Sequence, residues 1–552
     1  MQNPSLAKER SAAQRSTMLR GTAWLTLTNI LSRLLGAIYI IPWFAWMGTN
    51  GNQANALFSM GYNIYALFLL ISTAGLPVAI AREVAHYNAL GQESLANRLV
   101  RQILVFMVGF GLVAAAVMYF FAPGLAALSG GGENLIPVMQ SLALAVLIFP
   151  AMSIVRGYFQ GLNDMRTVAI SQLYEQIIRV IWMLVLTFMI MKIGFSGGRW
   201  ETAVTQSTFA AFIGMIASCV VLVRFLIKEK LLRALLRASG KGKDGIRPGR
   251  LLLQTLYQAA PFVIIGSAIQ IFKIIDQITF VNVMRWMTSY SKDDLQVLFA
   301  YFSANTDKLT MIMIGTAAAF GDVALPMITK HHTQGNQAQV GQLISYDLQL
   351  FAAFMVPAVL GMVVLAEPFY VLFYGTVNEL QLMLFIWALF QSLLLGLYTT
   401  AAPILQALHY SRKALVYFAV GLVIKLVLQV PAIMLFQSYG PLIATTLAFL
   451  VFGWLTIRKI YRITRFKIRP LVRGLLGIGF MTVLMLVVVV LVDLVLGKIL
   501  HGLDAGRVRA FIEILIAGGI GFGVYLVLSA KVGLLEKLLG ARGTSLRRRL
   551  HI

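Results

Sequence analysis

Apolar runs of roughly twenty residues, each long enough to cross a bilayer as a helix, follow one another along almost the whole chain. Within hydrocarbon the backbone has no water to bond, so only helices and closed barrels can span. Barrel strands would need short alternating segments, and these runs are continuous. Only 12% of the 552 residues are charged and 59% are hydrophobic, whereas a soluble domain carries about 25% charged residues. The chain is therefore expected to be an all-α polytopic membrane protein. Fourteen transmembrane helices are predicted, the first near 21–47 and the last near 510–530.

The net charge of +25 does not imply nucleic acid, because the cations collect in loops. The segment 228–250 carries eight, from Lys228 to Arg250, and Arg458–Arg473 carries seven more. The loop 48–54 has none. This is the positive-inside pattern, and it puts both termini in the cytoplasm. The first twenty residues are polar and basic, so the first span is expected to insert directly, without a cleaved signal. A lone cysteine, Cys219, excludes an internal disulfide framework, and His331-His332 are adjacent rather than one helical turn apart. There is no G-x-x-x-x-G-K-[ST] loop for ATP and no large outer loop for catalytic carboxylates. The chain reads as a non-enzyme with no cofactor, driven by a monovalent-ion gradient, the membrane potential or the substrate gradient.

The hydrophobic pattern is also duplicated. Leu76-Pro77 recurs at Leu325-Pro326, 249 positions on, and Ala122-Pro123 as Glu367-Pro368, 245 positions on. Gln160-Gly161-Leu162, followed by Arg166, recurs as Gln406-Ala407-Leu408, followed by Arg412, 246 positions on. Each copy holds six spans, an even number, so the repeats are expected to be parallel, related by a pseudo-two-fold along the membrane normal. The predicted organisation is a cytoplasmic segment 1–20, an N-lobe 21–227, a basic linker 228–250, a C-lobe 251–458, a basic loop 459–471, two extra helices 472–530 and a tail 531–552.

Ionisable groups at membrane depth mark function by default. Arg33, Arg179, Lys273, Lys308 and Lys425 fall inside predicted spans, with Glu175, Asp276 and Asp307. The cations outnumber the anions, so a cavity lined by them would suit an anionic headgroup, and guanidinium forks match phosphate oxygens. Glu175 and Arg179 stand at i, i+4 and Lys273 and Asp276 three apart, so each couple either neutralises itself or serves the cavity. Arg33 and Lys425 have no carboxylate on the adjacent turn of their own helix. Lys425 mirrors Arg179, 246 positions on. Arg82, after Pro77, either guards the cavity mouth or anchors its helix. Arg156 and Arg166 read as solvated topology signals, and Trp43, Trp46 and Trp286 as an interfacial belt.

The Ser32–Gly36 element SRLLG, the stretch RGYFQGLNDMRTVAISQLYEQIIRV at Arg156–Val180 and the repeated Leu-Pro segments resemble the MurJ/SpoVB/YtgP polysaccharide-lipid flippases of the multidrug/oligosaccharidyl-lipid/polysaccharide exporter superfamily. The resemblance covers nearly the whole chain. It implies a bacterial plasma-membrane flippase for lipid II, the undecaprenyl-diphosphate-linked peptidoglycan precursor, moving it by alternating access and serving the cell-wall synthesis machinery. It also implies a cationic cavity for the diphosphate and sugar, and a groove for the lipid tail at the last two helices. Arg33 would be the first-helix cavity arginine. Gram-negative members carry further arginines where this chain has Tyr39 and, nearby, Asn63, so Lys273, Arg179 and Lys425 are the candidates to replace them. Two other functions stay open: a flippase for another lipid-linked oligosaccharide, of capsule, teichoic or spore polymer, and a cation-coupled multidrug exporter.

Overall fold

A computed structural model describes residues 28, 31–32, 34–73, 75–237, 260–261, 263–500, 506–534 and 536. Arg33, the linker residues 238–250 and the tail from 537 lie outside them. The described residues are helical, joined by short turns and without a strand. Eleven helical stretches are long and apolar enough to cross a membrane. The chain forms two compact units, one from Met1–Asn50 and Leu57–Ile274, the other from Gly51–Ala56 and Ile275–Ile552.

The first unit is built on α1 (Ile40–Met47), most of α2 (Gly51–Thr73), α3 (Leu76–Ala89), α4 (Glu93–Phe120), α5 (Ala122–Leu128), α6 (Leu135–Gly161), α7 (Met165–Ile193), α8 (Trp200–Lys228) and α9 (Leu231–Arg237). Local chemistry sets several helix ends. Pro77 lies in the first turn of α3, where its missing N–H costs nothing. Asp164 caps α7 by accepting the Thr167 amide at 3.1 Å. α6 is mostly apolar and buried along most of its length, packed among α3, α4 and α8. Gly157 lets α6 meet α3 backbone to backbone, since a Cβ there would stand 2.5 Å from the Pro77 carbonyl. Trp43 is 1% exposed and donates to Ser207 Oγ at 2.8 Å. It is a core residue rather than part of an interfacial belt, because its ring is buried and its indole N–H finds an acceptor there. Trp286, 77% exposed, is free to lie at an interface.

The helix α10 (Ala268–Met287) leads into the second unit. There follow α11 (Lys292–Phe299), a π-helical turn at Ala300–Ala304, α12 (Asn305–Thr333), α13 (Gln337–Val364), α14 (Ala366–Tyr374), α15 (Glu379–Ala407), α16 (Ser411–Phe436), α17 (Gly440–Thr464), α18 (Ile468–Ile499), α19 (Arg507–Glu513) and α20 (Gly519–Lys531). Ser291 and Asn378 open α11 and α15 with capping boxes. α12 packs on α13 and α15, α16 on α17, and α18 on α13 and α20. Next to the π turn, Asn305 is wholly buried and satisfied by Asn52, Asn55, Tyr370 and Tyr374.

The same turns recur in the two units. After α6, Asn163 adopts a left-handed φ of 61°, and 246 residues on His409 adopts 64°. The Asn163 and Asp164 amides bond to Gln160 and Phe159, and the His409 and Tyr410 amides bond in the same register to Gln406 and Leu405. After α3, Gly91 has φ 70°, and 244 residues on Gly335 has 75°. The amides of Gly91 and Gln92 bond to Asn88 and Tyr87, those of Gly335 and Asn336 to His332 and His331. Both turns are of the Schellman kind, which satisfies the orphan carbonyls at a helix end.

Candidate functional site

Arg179 lies at the middle of α7, fourteen residues from its start, about 21 Å along the axis at 1.5 Å per residue. It is half-buried. Its guanidinium carbon stands 4.9 Å from the centre of the Tyr62 ring, a cation–π contact. Tyr62 in turn stacks on Phe58, centroids 5.2 Å apart, and meets the edge of Tyr65 at 5.1 Å. Phe58 packs against Trp43. This aromatic file on α1 and α2 follows from residues three or four apart falling on one helix face. The ring face attracts a cation but does not neutralise it, and among the described residues Arg179 makes no ion pair.

Glu175 does not pair with Arg179, which was one of the two readings that their spacing left open. Its Oε2 lies 2.6 Å from Arg156 Nη2 on α6. Arg156 also donates through Nε to Ser171 Oγ at 3.1 Å and through Nη2 to Ser218 Oγ at 2.8 Å on α8. It is 9% exposed, so the reading of Arg156 as a solvated signal is corrected. A guanidinium so far from water must find anions and acceptors, and three helices supply them. No sequence signal pointed to it, because Ser171, Glu175 and Ser218 become its neighbours only when α6, α7 and α8 pack. Arg166 is exposed in its turn.

In the second unit Lys425 is wholly buried. Its Nζ is 2.5 Å from Asp276 Oδ1, 2.6 Å from Thr445 Oγ1 and 3.0 Å from the Pro441 carbonyl. Gln429 donates to the same Asp276 oxygen at 2.9 Å. Asp276 is thus turned to a lysine of another helix, and the ammonium has all three donors engaged. As it stands here Lys425 has no proton left for a ligand, contrary to its reading as a substrate-binding cation.

Lys273 is half-buried on α10, and Asp307 and Lys308 are half-buried in the first turn of α12. The Arg82 side chain is 70% exposed, with Glu83 at 4.0 Å. Where the family resemblance would put a helix-two arginine, Asn63 is buried and receives Gln270 Nε2 on its carbonyl at 2.8 Å.

The second unit also holds an apolar pocket of about 280 Å³ between α13, α18 and the last helix, with Ala358, Gly361, Met485, Val489, Gly521 and Tyr525 on its walls. Gly521 lets α20 press on α18, since a Cβ would meet Val489 at 2.4 Å. Tyr525 ties α20 to α13 by donating to the Ala353 carbonyl at 2.8 Å.

Residues 18–332 match the family model described as polysaccharide biosynthesis protein. The chain is 35% identical to the lipid II flippase MurJ of Bacillus subtilis (strain 168), over 96% of this chain and 97% of that one. The chain belongs to the MurJ-like polysaccharide-lipid flippase family. It is also 27% identical to the stage V sporulation protein B of the same organism, over 42% of this chain and 43% of that one. In fold it matches a solved structure of the lipid II flippase MurJ in an inward closed conformation, with TM-score 0.64 and 16% identity over 92% of this chain and 98% of that one. It also matches an inward-facing multidrug transporter of the MATE family, with TM-score 0.58 and 15% identity over 79% of this chain and 99% of that one. The all-helical architecture is that of this transporter fold, and the protein is a multi-pass membrane protein.

Proposed function

We propose that the protein flips lipid II from the inner to the outer leaflet of the bacterial plasma membrane by alternating access. The observation that carries this is full-length similarity to a lipid II flippase, 35% identical across 96% of the chain. Arg179 supports it. A mid-span guanidinium without an ion pair, among the described residues, is the group that would receive a diphosphate. The apolar pocket between α13, α18 and α20 supports a role for the last helices in holding the polyprenyl tail.

The finer architecture is part of the proposal. Counting two crossings in each of Leu34–Ala89 and Ser411–Thr464, and one in Ala268–Met287, the helical stretches make fourteen. The recurring turns at Asn163 and His409 support two parallel six-helix repeats, and the basic loops support cytoplasmic termini. No cofactor enters. An ion gradient or the membrane potential would drive the cycle, at about 2.3 kcal/mol per charge per 100 mV. The flipped lipid would pass to the cell-wall synthesis machinery.

The test is rescue of a strain depleted of its lipid II flippase, scored by lipid II reaching the outer leaflet. Full rescue is expected. Normal amounts of protein in the membrane, with lipid II retained on the inner leaflet, would reject the assignment and favour another lipid-linked oligosaccharide.

A further inference from the structure

We propose that Arg156 is a positioning residue for anion binding: by taking up the Glu175 carboxylate, it leaves the Arg179 guanidinium without an ion pair among the described residues and able to receive a phosphate. The inference rests on the flippase reading for the identity of the anion, and on the geometry alone for the charge relation.

Glu175 and Arg179 stand at i, i+4 on α7 with the acid nearer the N-terminus, the order that favours an intrahelical ion pair. The pair is not made. The carboxylate goes instead to Arg156 at 2.6 Å, and Arg156 is itself held by Ser171 and Ser218. A guanidinium anchored at three points by α7 and α8, and shielded from water, outcompetes one that would have to leave its tyrosine face. The backbone reinforces the choice. At Gly214 a Cβ would stand 2.6 Å from the Glu175 carbonyl and 3.1 Å from Arg179 Cβ, so α8 clamps the turn of α7 that carries both charges.

The second unit gives a comparison. The positions 246 residues beyond Arg156 and Glu175 are Ala402 and Gly421. Neither member of the pair exists there, and the cation that mirrors Arg179, Lys425, is closed by Asp276. One unit thus compensates its mid-helix cation, while the other spends its nearby carboxylate on a second arginine.

The full-length protein in lipid nanodiscs would be studied as wild type, R156M, E175Q, R156M/E175Q and R179M. Two quantities would be read: the rate at which phenylglyoxal modifies Arg179, followed by mass spectrometry, and the affinity for geranylgeranyl diphosphate. R156M should free Glu175 to pair with Arg179, slowing modification at least fivefold and weakening the probe about tenfold. R156M/E175Q should return to the values of E175Q. A double variant that remains as impaired as R156M would overturn the proposal, as would wild-type behaviour of R156M. Should R156M fail to fold, E175Q and R156M/E175Q decide by themselves. With no carboxylate to sequester, Arg156 should be dispensable, and any further fall in the double variant refutes the role. Equal probe binding by wild type and R179M would reject the anion-binding reading of Arg179, and the modification rates would still decide the Arg156 relation.

Discussion

Replacing Lys425 with Met tests how the second unit is held together. The side chain is wholly buried and Asp276 is 14% exposed, so solvent screens the pair little. Three hydrogen bonds from Nζ would go, to Asp276, Thr445 and the Pro441 carbonyl. At about 0.6 kcal/mol for an average hydrogen bond between membrane helices, that is about 2 kcal/mol. The greater penalty comes from the carboxylate left behind, whose Oδ1 keeps the Gln429 amide but loses the ammonium. Removing one member of a buried pair costs about 3–5 kcal/mol, a figure that already contains the lost bonds. At roughly 2 °C per kcal/mol for a large domain, K425M should melt about 6–10 °C below the wild type. Adding D276N removes the stranded charge and should recover more than half of the loss. Thermal unfolding of the purified full-length protein in detergent measures both. A K425M protein melting within 2 °C of wild type, or a double variant melting no higher than K425M, would refute the reasoning.

Three further outcomes follow from the packing. Gly214→Ala puts a Cβ 2.6 Å from the Glu175 carbonyl, and overpacking of this kind costs about 1–3 kcal/mol, so the variant should melt lower. Ala358→Phe fills the pocket of about 280 Å³. It should leave folding intact by circular dichroism while reducing lipid II appearance on the outer leaflet in the rescue assay. His409→Gly relieves a left-handed φ of 64°, a conformation costing an L-residue about 1–2 kcal/mol. Part of that gain is offset by the freer unfolded chain, so its melting point should rise by a degree or two, and a fall would count against the strain.

Much of the fold was legible because its signals are local. The apolar runs demand helices, and the repeated Gln160 and Gln406 segments end in the same turn. The site was legible only in part. Arg179 stands out as a mid-span cation from the sequence, whereas Arg156 resembles a loop cation and Trp43 an interfacial one. Arg156 lies near the end of its span, where solvent and protein are equally plausible neighbours until α7 and α8 are placed.

By itself the sequence determined that this chain crosses a membrane as helices and that its hydrophobic pattern occurs twice. These depend on hydropathy, which is read along the chain. Only the tertiary structure decided how the charges are partnered: Glu175 with Arg156, Asp276 with Lys425, and Arg179 with the ring of Tyr62. Charge pairing acts across space, and the partners Lys425 and Asp276 are 149 positions apart in the chain, a distance that only helix packing can close.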